Sequence, residues 1–273
     1  MTTEKFHIVT SFNKNGYEKY GKNFLETFKS KDVDLYVGTE DDLSLFPKYD
    51  NVNFFSIDKS MSINYWNQYV SKLPEDLKKS YQFQAHRFCF KVQALNSNKF
   101  LPKDGYRVWI DADVLFKKEI NAKDLLKISN KKNLTYLGRD SFWHSECGFI
   151  IFKLNHYGAI FLHRWLWFYK TGRVITLPEW HDSYVFDVVR KELSSNDLNN
   201  LSKDIDDRDV SKFMKFFTDL SIDEIKKIEE KNINEQKIVL ANQTTSMLHG
   251  EQEAKKSEET AKKTFSENSM GSA

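Results

Sequence analysis

No apolar run in this sequence approaches the roughly 20 residues that a membrane-spanning helix needs. The N-terminal stretch MTTEKFHIVTSFN has too short an apolar core for a secretory signal and reads better as a first strand. Cysteine is scarce. The two present, Cys89 and Cys147, both lie in apolar stretches, which argues against a disulfide framework and for two small buried thiols in a reducing compartment. Neither charge dominates: 41 Lys and Arg face 39 Asp and Glu. Bulk charge therefore gives no reason to expect a nucleic-acid or membrane surface, and phosphate recognition has to come from local placement of basic groups. No internal repeat is visible. These absences together leave a soluble, cytoplasmic protein as the expectation.

What is present suits a sizeable core. Hydrophobic residues make up 40% and aromatic residues 15% of the 273, enough for one large α/β domain and a small extra unit. Two textures meet near residue 200. Before it, the runs Phe6–Val9, Asp34–Val37, Val52–Ile57 and Tyr106–Ile110, rich in Val, Ile, Phe and Tyr, alternate with helix-like segments near Tyr17–Phe28, Asn64–Val70 and Ala85–Lys99. Strands Leu134–Leu137 and Gly148–Leu154 follow, then a helix from His156 to about Lys170. This alternation predicts a mostly parallel sheet with helices on both faces. After residue 200 the pattern is helical only. Ser221 and Glu224 have the spacing of a capping box, and Asn232 and Glu235 repeat it.

The most informative stretch is Tyr106-Arg107-Val108-Trp109-Ile110-Asp111-Ala112-Asp113. An apolar strand runs straight into two carboxylates separated by one small residue. On an extended backbone, positions i and i+2 share a side, so Asp111 and Asp113 are expected to face one cation. Open α/β sheets take their ligands at the C-terminal ends of the strands. Two hard oxygen ligands, completed by water and phosphate oxygens, suit Mg2+ or Mn2+. A plain Asp-rich turn after a strand is the competing reading, since a bare D-x-D is common.

Four segments give this region a resemblance to the GT-A glycosyltransferases over about Phe6 to Leu193. They are His86-Arg87-Phe88-Cys89-Phe90-Lys91-Val92-Gln93-Ala94-Leu95, the Asp111-Ala112-Asp113 turn, Glu146-Cys147-Gly148-Phe149, and Leu177-Pro178-Glu179-Trp180-His181-Asp182-Ser183. The resemblance implies a hexosyltransferase-like, metal-dependent enzyme with a Rossmann-like, mostly parallel sheet. It implies that a nucleotide diphosphate-sugar donates its sugar to a carbohydrate or other hydroxyl acceptor. It implies Asp111, Asp113 and His181 as ligands of Mn2+ or Mg2+, with Asp111 also meeting the donor. Thr10, Ser11 and Asn13 after the first strand, with Arg87 and Lys91 on one helix face, become donor contacts. Gly38, after the second strand, is a candidate for close backbone approach. Trp180 and Glu179 become acceptor contacts, and Glu146 and Asp182 the catalytic carboxylates. Asp182 also fits the N-cap of the helix that follows it. A sheet domain that binds nucleotide sugars without transferring them is the alternative.

The tail carries a second resemblance. Asp204-Ile205-Asp206-Asp207-Arg208-Asp209-Val210, Phe216-Phe217-Thr218-Asp219-Leu220 and Met247-Leu248-His249-Gly250-Glu251 resemble, in order and spacing, the helical segment of bacterial tyrosyl-tRNA synthetase that helps to recognise the anticodon stem. The synthetase's catalytic half has no counterpart here, so this tail is not expected to activate tyrosine. Its helices mix both signs of charge, so independent RNA binding is not expected of it. The organisation inferred is a glycosyltransferase-like domain over 1–198, a linker at 199–203, a synthetase-like helical fragment over 204–268 and a disordered end at 269–273, which together read as a chimera.

Overall fold

The computed structural model describes residues 4–138, 144–195 and 220–249, with scattered positions between 210 and 218 and between 251 and 259. Two compact units divide the chain, Met1–Asn196 and Asp197–Ala273. The inferred linker 199–203 and chain end 269–273 lie outside the described residues, as do Asp204–Asp209 and Gly250.

The first unit is an α/β fold. Its strands are β1 (Phe6–Ser11), β2 (Val33–Thr39), β3 (Val52–Ser56), β4 (Tyr106–Ile110), β5 (Leu134–Leu137) and β6 (Glu146–Lys153). Its helices are α1 (Lys14–Gly16), α2 (Lys22–Thr27), α3 (Ser60–Gln68), α4 (Glu75–Lys79), α5 (Ala85–Leu95), α6 (Ala122–Ser129), α7 (His156–Lys170) and α8 (Asp182–Ser195). A π-helical turn, Tyr17–Gly21, joins α1 to α2. The sheet runs β3-β2-β1-β4-β6-β5. The first four strands are parallel, while β6 is antiparallel to both β4 and β5. The order therefore reverses direction between β1 and β4, and in such sheets the crevice beyond the strand ends at the reversal is where ligands go.

Strand alternation explains the two faces. On β4, Tyr106, Val108 and Ile110 join Phe6, Ile8, Leu35 and Val37 in one core cluster, covered by Phe24, Leu25 and Phe28 around α2. The intervening residues point the other way. There Ile150 and Phe152 of β6 are fully buried, and Phe152, Phe161, Trp165 and Phe186 form a chain of ring contacts at 5.0–6.4 Å that binds α7 and α8 to the sheet. Arg107 also lies on this side. It is buried and donates to the Leu95 carbonyl at the end of α5 and to Pro102 O at 2.8 Å, so its charge meets carbonyl dipoles rather than a carboxylate. Burial lowers its pKa to about 10.

Helix α7 starts where Asn155 accepts from Gly158 N at 3.1 Å. Gly158 is required by space: a Cβ there would lie 2.0 Å from the backbone oxygen of Lys153. Gly158→Ala is therefore expected to push α7 off the end of β6 and cost about 1–3 kcal/mol. A denaturant midpoint at unchanged slope measures it.

In the second unit, α9 (Ile222–Glu229) and α10 (Ile233–His249) pack around Val210, Met214, Ile225 and Leu240. The Ser221–Glu224 capping box forms as the spacing predicts, with Ser221 and Glu224 capping each other's backbone N–H. Asn232 likewise accepts from Glu235 N at 3.0 Å.

Candidate functional site

The loops after β1 and β4 and the N-terminal half of α5 surround a cleft of about 920 Å3 at the point where the sheet order reverses. Of the residues expected from sequence, Ser11, Asn13, Arg87, Lys91, Asp111, Asp113, Glu146 and Asp182 line it. Thr10, Glu179, Trp180 and His181 do not.

The β1 loop is held from both sides. Asn13 Oδ1 accepts from Gly16 N at 2.8 Å, and Lys14 N donates to Asp41 Oδ2 at 2.7 Å, which ties it to the loop after β2. Glu40 from that second loop also faces the cleft, and burial raises its pKa. Thr10 is a correction. Strand β1 extends to Ser11, so Thr10 is a fully buried strand residue and the loop begins later than expected. Gly38 is another. A Cβ there would meet Ile57 Cδ1 at 2.4 Å, so its smallness admits a packed isoleucine rather than a ligand.

Strand β4 ends at Ile110, and Ala112 and Asp113 form a turn. Strand alternation therefore governs Asp111 but not Asp113, contrary to the expectation of a shared extended side. Asp111 follows the side of Trp109, whose indole N–H donates to its Oδ1 at 2.6 Å. Gly148 lies against the other oxygen: a Cβ at that glycine would stand 3.3 Å from Asp111 Oδ2 and 3.2 Å from Glu146 Oε1. A side chain at 148 would thus intrude between two carboxylates of the cleft. Asp113 is exposed at the rim.

Lys91 departs most from expectation. It is buried rather than presented to solvent beside Arg87. Its ammonium pairs with Asp182, lies 3.0 Å from Asp111 Oδ1 and donates to Cys147 O at 3.0 Å. Its hydrogen bonds go to Asp182 and Cys147 O and its ion pairs to Asp182 and Asp111, so Lys91 is committed to the protein's own groups rather than to a donor phosphate. Burial alone would lower its pKa, but Asp182, then Asp111, reverse this and raise it. The ammonium remains charged and holds two carboxylates of the cleft on either side of itself. Arg87, one helical turn earlier, is exposed and donates to Gln84 Oε1 at 2.7 Å.

The stretch after residue 177 also differs from expectation. Trp180 is not a platform in the cleft. It is 9% exposed, packs edge-on to Phe83 at 5.2 Å, and donates its indole N–H to Leu177 O at 3.2 Å. Glu179 turns the same way and accepts from Gln82 Nε2 at 3.0 Å and His181 Nε2 at 2.7 Å. His181 is buried and is not grouped with Asp111 and Asp113. Asp182 is the first residue of α8 rather than its cap. Instead the His181 ring caps that helix, with Tyr184 N donating to Nδ1 at 3.4 Å. Backbone pairing of Trp180 N with Gln82 O, at 2.6 Å, ties this segment to Tyr81–Phe83.

Lys19, Tyr20, Lys59 and Tyr81 also line the cleft and were not singled out from sequence. The general rule that ligands meet the segment following the first strand could have flagged Lys19 and Tyr20. The Tyr20 hydroxyl is raised in pKa by burial, against the pull of Arg87 and with Asp113 and Glu40 adding to the rise.

His86, on the cleft wall, is held neutral: burial, then Arg87, lowers its pKa to about 4 from 6.5. Between those values the unfolded chain binds a proton that the folded one does not, so stability falls as pH drops from about 6.5 to 4. His7 and His156 are lowered by burial in the same sense. His86→Asn is expected to flatten part of this acid slope, measured by melting temperature between pH 7 and 4. An unchanged slope would remove His86 from the account.

Comparison with known proteins finds two kinds of relative. No protein-family model matches it. Over 102 residues, 37% of this chain, it is 62% identical to the tyrosine–tRNA ligase of Pelagibacter ubique, covering 23% of that protein. Over 70 residues it is 49% identical to the tyrosine–tRNA ligase of Zymomonas mobilis, covering 17% of it. The chain thus spans less than a quarter of the length of these curated relatives. Among solved structures, the WbbM bifunctional glycosyltransferase aligns at TM-score 0.41 and 12% identity, over 68% of this chain and 37% of that one. Mouse xyloside xylosyltransferase 1 aligns at TM-score 0.41 and 10% identity, over 69% of this chain and 82% of that one. Both are glycosyltransferases by name.

Proposed function

We propose that the first unit transfers a sugar from a nucleotide diphosphate-sugar to an acceptor hydroxyl in this cleft. The observation that carries the reading is the arrangement of charge at the sheet reversal. Lys19, Lys59 and Arg87 line the same cleft as the carboxylates Asp111, Asp113, Glu146 and Asp182. A diphosphate needs cations, and a departing sugar needs carboxylates beside it. In this reading Ser11 and Asn13 meet the nucleoside, while Arg87, whose guanidinium presents paired donors, meets the diphosphate.

Asp111 and Asp113 fit a divalent ion by their chemistry. Asp111 Oδ1 is taken by Trp109 and Lys91, so its Oδ2 and the exposed Asp113 are the hard oxygens to offer. Mn2+ or Mg2+ bound there supplies positive charge to the leaving diphosphate. The protein's own residues do the rest. The bond from the anomeric carbon to the diphosphate oxygen breaks, the acceptor oxygen bonds to that carbon, and the acceptor proton passes to a carboxylate. Glu146 takes that role: it lines the cleft, and its Oε1 is fixed by Gly148 N at 3.1 Å. Lys91 keeps Asp182 and Asp111 in place beside the reacting carbon.

The test is a melting-temperature screen of nucleotide sugars with and without Mn2+, followed by donor hydrolysis. A ligand at about 100 times its Kd adds roughly 2.7 kcal/mol of stability. Binding without hydrolysis or transfer would favour the non-catalytic sugar-nucleotide domain. No shift with any donor would count against both.

A second reading applies to the C-terminal unit, favoured by a 62% identity to a tyrosine–tRNA ligase over 102 residues, a stretch longer than that unit. We infer that this unit is a counterpart of a synthetase segment fused to an unrelated domain. A chain ending at residue 196 that keeps its melting transition and donor binding supports the fusion, and loss of that transition argues against it.

A further inference from the structure

A cluster of potential metal ligands lies apart from the carboxylate pair of the cleft. Among the described residues, His144, Glu179 and His181 are the group whose ligand atoms all lie within 4.8 Å of one another. Glu179 Oε2 is 2.7 Å from His181 Nε2 and 3.5 Å from His144 Nε2. Two ligands held at zinc distances on a tetrahedral centre stand about 3.4 Å apart. The His144 contact already has that spacing, and the His181 contact is a hydrogen bond that a cation would replace.

From these residues we propose that His144, Glu179 and His181 form a zinc site that braces the cleft from behind. Two imidazoles and one carboxylate form a donor set suited to Zn2+, whereas the all-oxygen pair at Asp111 and Asp113 suits Mg2+ or Mn2+. Carboxylates stand near the far nitrogens, where metal-bound histidines take their partners, though beyond direct hydrogen-bond reach. His144 Nδ1 is 3.9 Å from Asp187 Oδ2, and His181 Nδ1 is 4.0 Å from Asp182 Oδ1. Asp187 is itself fixed by Ser145, which donates through its backbone N at 2.9 Å and its hydroxyl at 2.7 Å. Zinc at Nε2 moves the His181 proton to Nδ1, which ends acceptance from Tyr184 N and turns that nitrogen toward Asp182 Oδ1, 4.0 Å away. The site joins the residue two before Glu146 to the residue just before Asp182. Zinc therefore fixes the starts of β6 and α8, the two elements that carry these cleft carboxylates.

The test uses the full chain, stripped with a chelator and given Zn2+ with no nucleotide sugar. Metal content after desalting is read by mass spectrometry, and the Kd by competition with a chromophoric chelator. One zinc per chain is expected for the parent and for the Asp111→Asn/Asp113→Asn variant. His144→Ala and Glu179→Gln, each checked for folding by circular dichroism, are expected to weaken the Kd by at least about 10-fold. His144 is partly exposed, so its removal leaves the core intact. Absence of bound zinc in the parent, an unchanged Kd in His144→Ala, or loss with the double asparagine variant would each overturn the site. Because no donor is present, these outcomes are independent of whether the cleft transfers sugar.

Discussion

Lys91→Met is expected to be the most damaging single substitution in the first unit. The ammonium is buried between Asp111 and Asp182 and accepted by Cys147 O. Methionine keeps the volume and removes the charge. Asp182, with its side chain 8% exposed, then keeps a carboxylate in the interior with no cation beside it. Breaking a buried pair from one side costs about 3–5 kcal/mol. Asp111 is more open to water, with its side chain 37% exposed, and adds little to that figure. Denaturant titration of the single variants, and of Lys91→Met/Asp182→Leu, gives the coupling. The double variant is expected to recover part of the loss, because no unpaired carboxylate remains at 182. A single-variant cost under about 1 kcal/mol would show that Lys91 is not the buried counter-charge described here.

Asp111→Asn and Asp113→Asn are expected to differ, although the sequence motif treats the two residues as a pair. Both should lower transfer, by about 100-fold or more, if a cation at these oxygens stabilises the leaving diphosphate. Their effects on stability should separate. Asp113 is exposed, and asparagine there should leave the melting temperature nearly unchanged. Asp111 accepts from the Trp109 indole and pairs with Lys91, so Asp111→Asn removes a charge from a network that holds the cleft floor. Kinetics over a Mn2+ series and melting curves on the same preparations make the comparison. Equal melting losses, or full transfer by Asp113→Asn, would contradict this division of roles.

Local pattern made much of the architecture legible. Tyr106–Ile110, Leu134–Leu137 and the helix from His156 emerge where the apolar runs and flanking caps place them, because each depends on nearest neighbours in sequence. The capping box at Ser221 is visible for the same reason. Side-chain roles at a distance were not. Arg87 and Lys91 look equivalent on a helical wheel, yet one faces the cleft opening and the other is buried. That difference depends on Asp182, 91 residues away. Trp180 and Glu179 look like sugar contacts, yet both pair with Gln82 and neither lines the cleft. His144 carries no signal of its own, because its ligand partners lie 35 and more residues downstream.

Strand and helix content, the two textures and the carboxylates that follow β4 could be read from local pattern, since periodicity and caps are local physics. Tertiary structure alone decided which charges face each other. It buried Lys91 between two carboxylates, moved His181 from the cleft to a group with His144 and Glu179, and withdrew Thr10 into the sheet. Those outcomes follow from which strands are neighbours and how far each strand extends, and contacts between distant segments leave no period in a single chain to read.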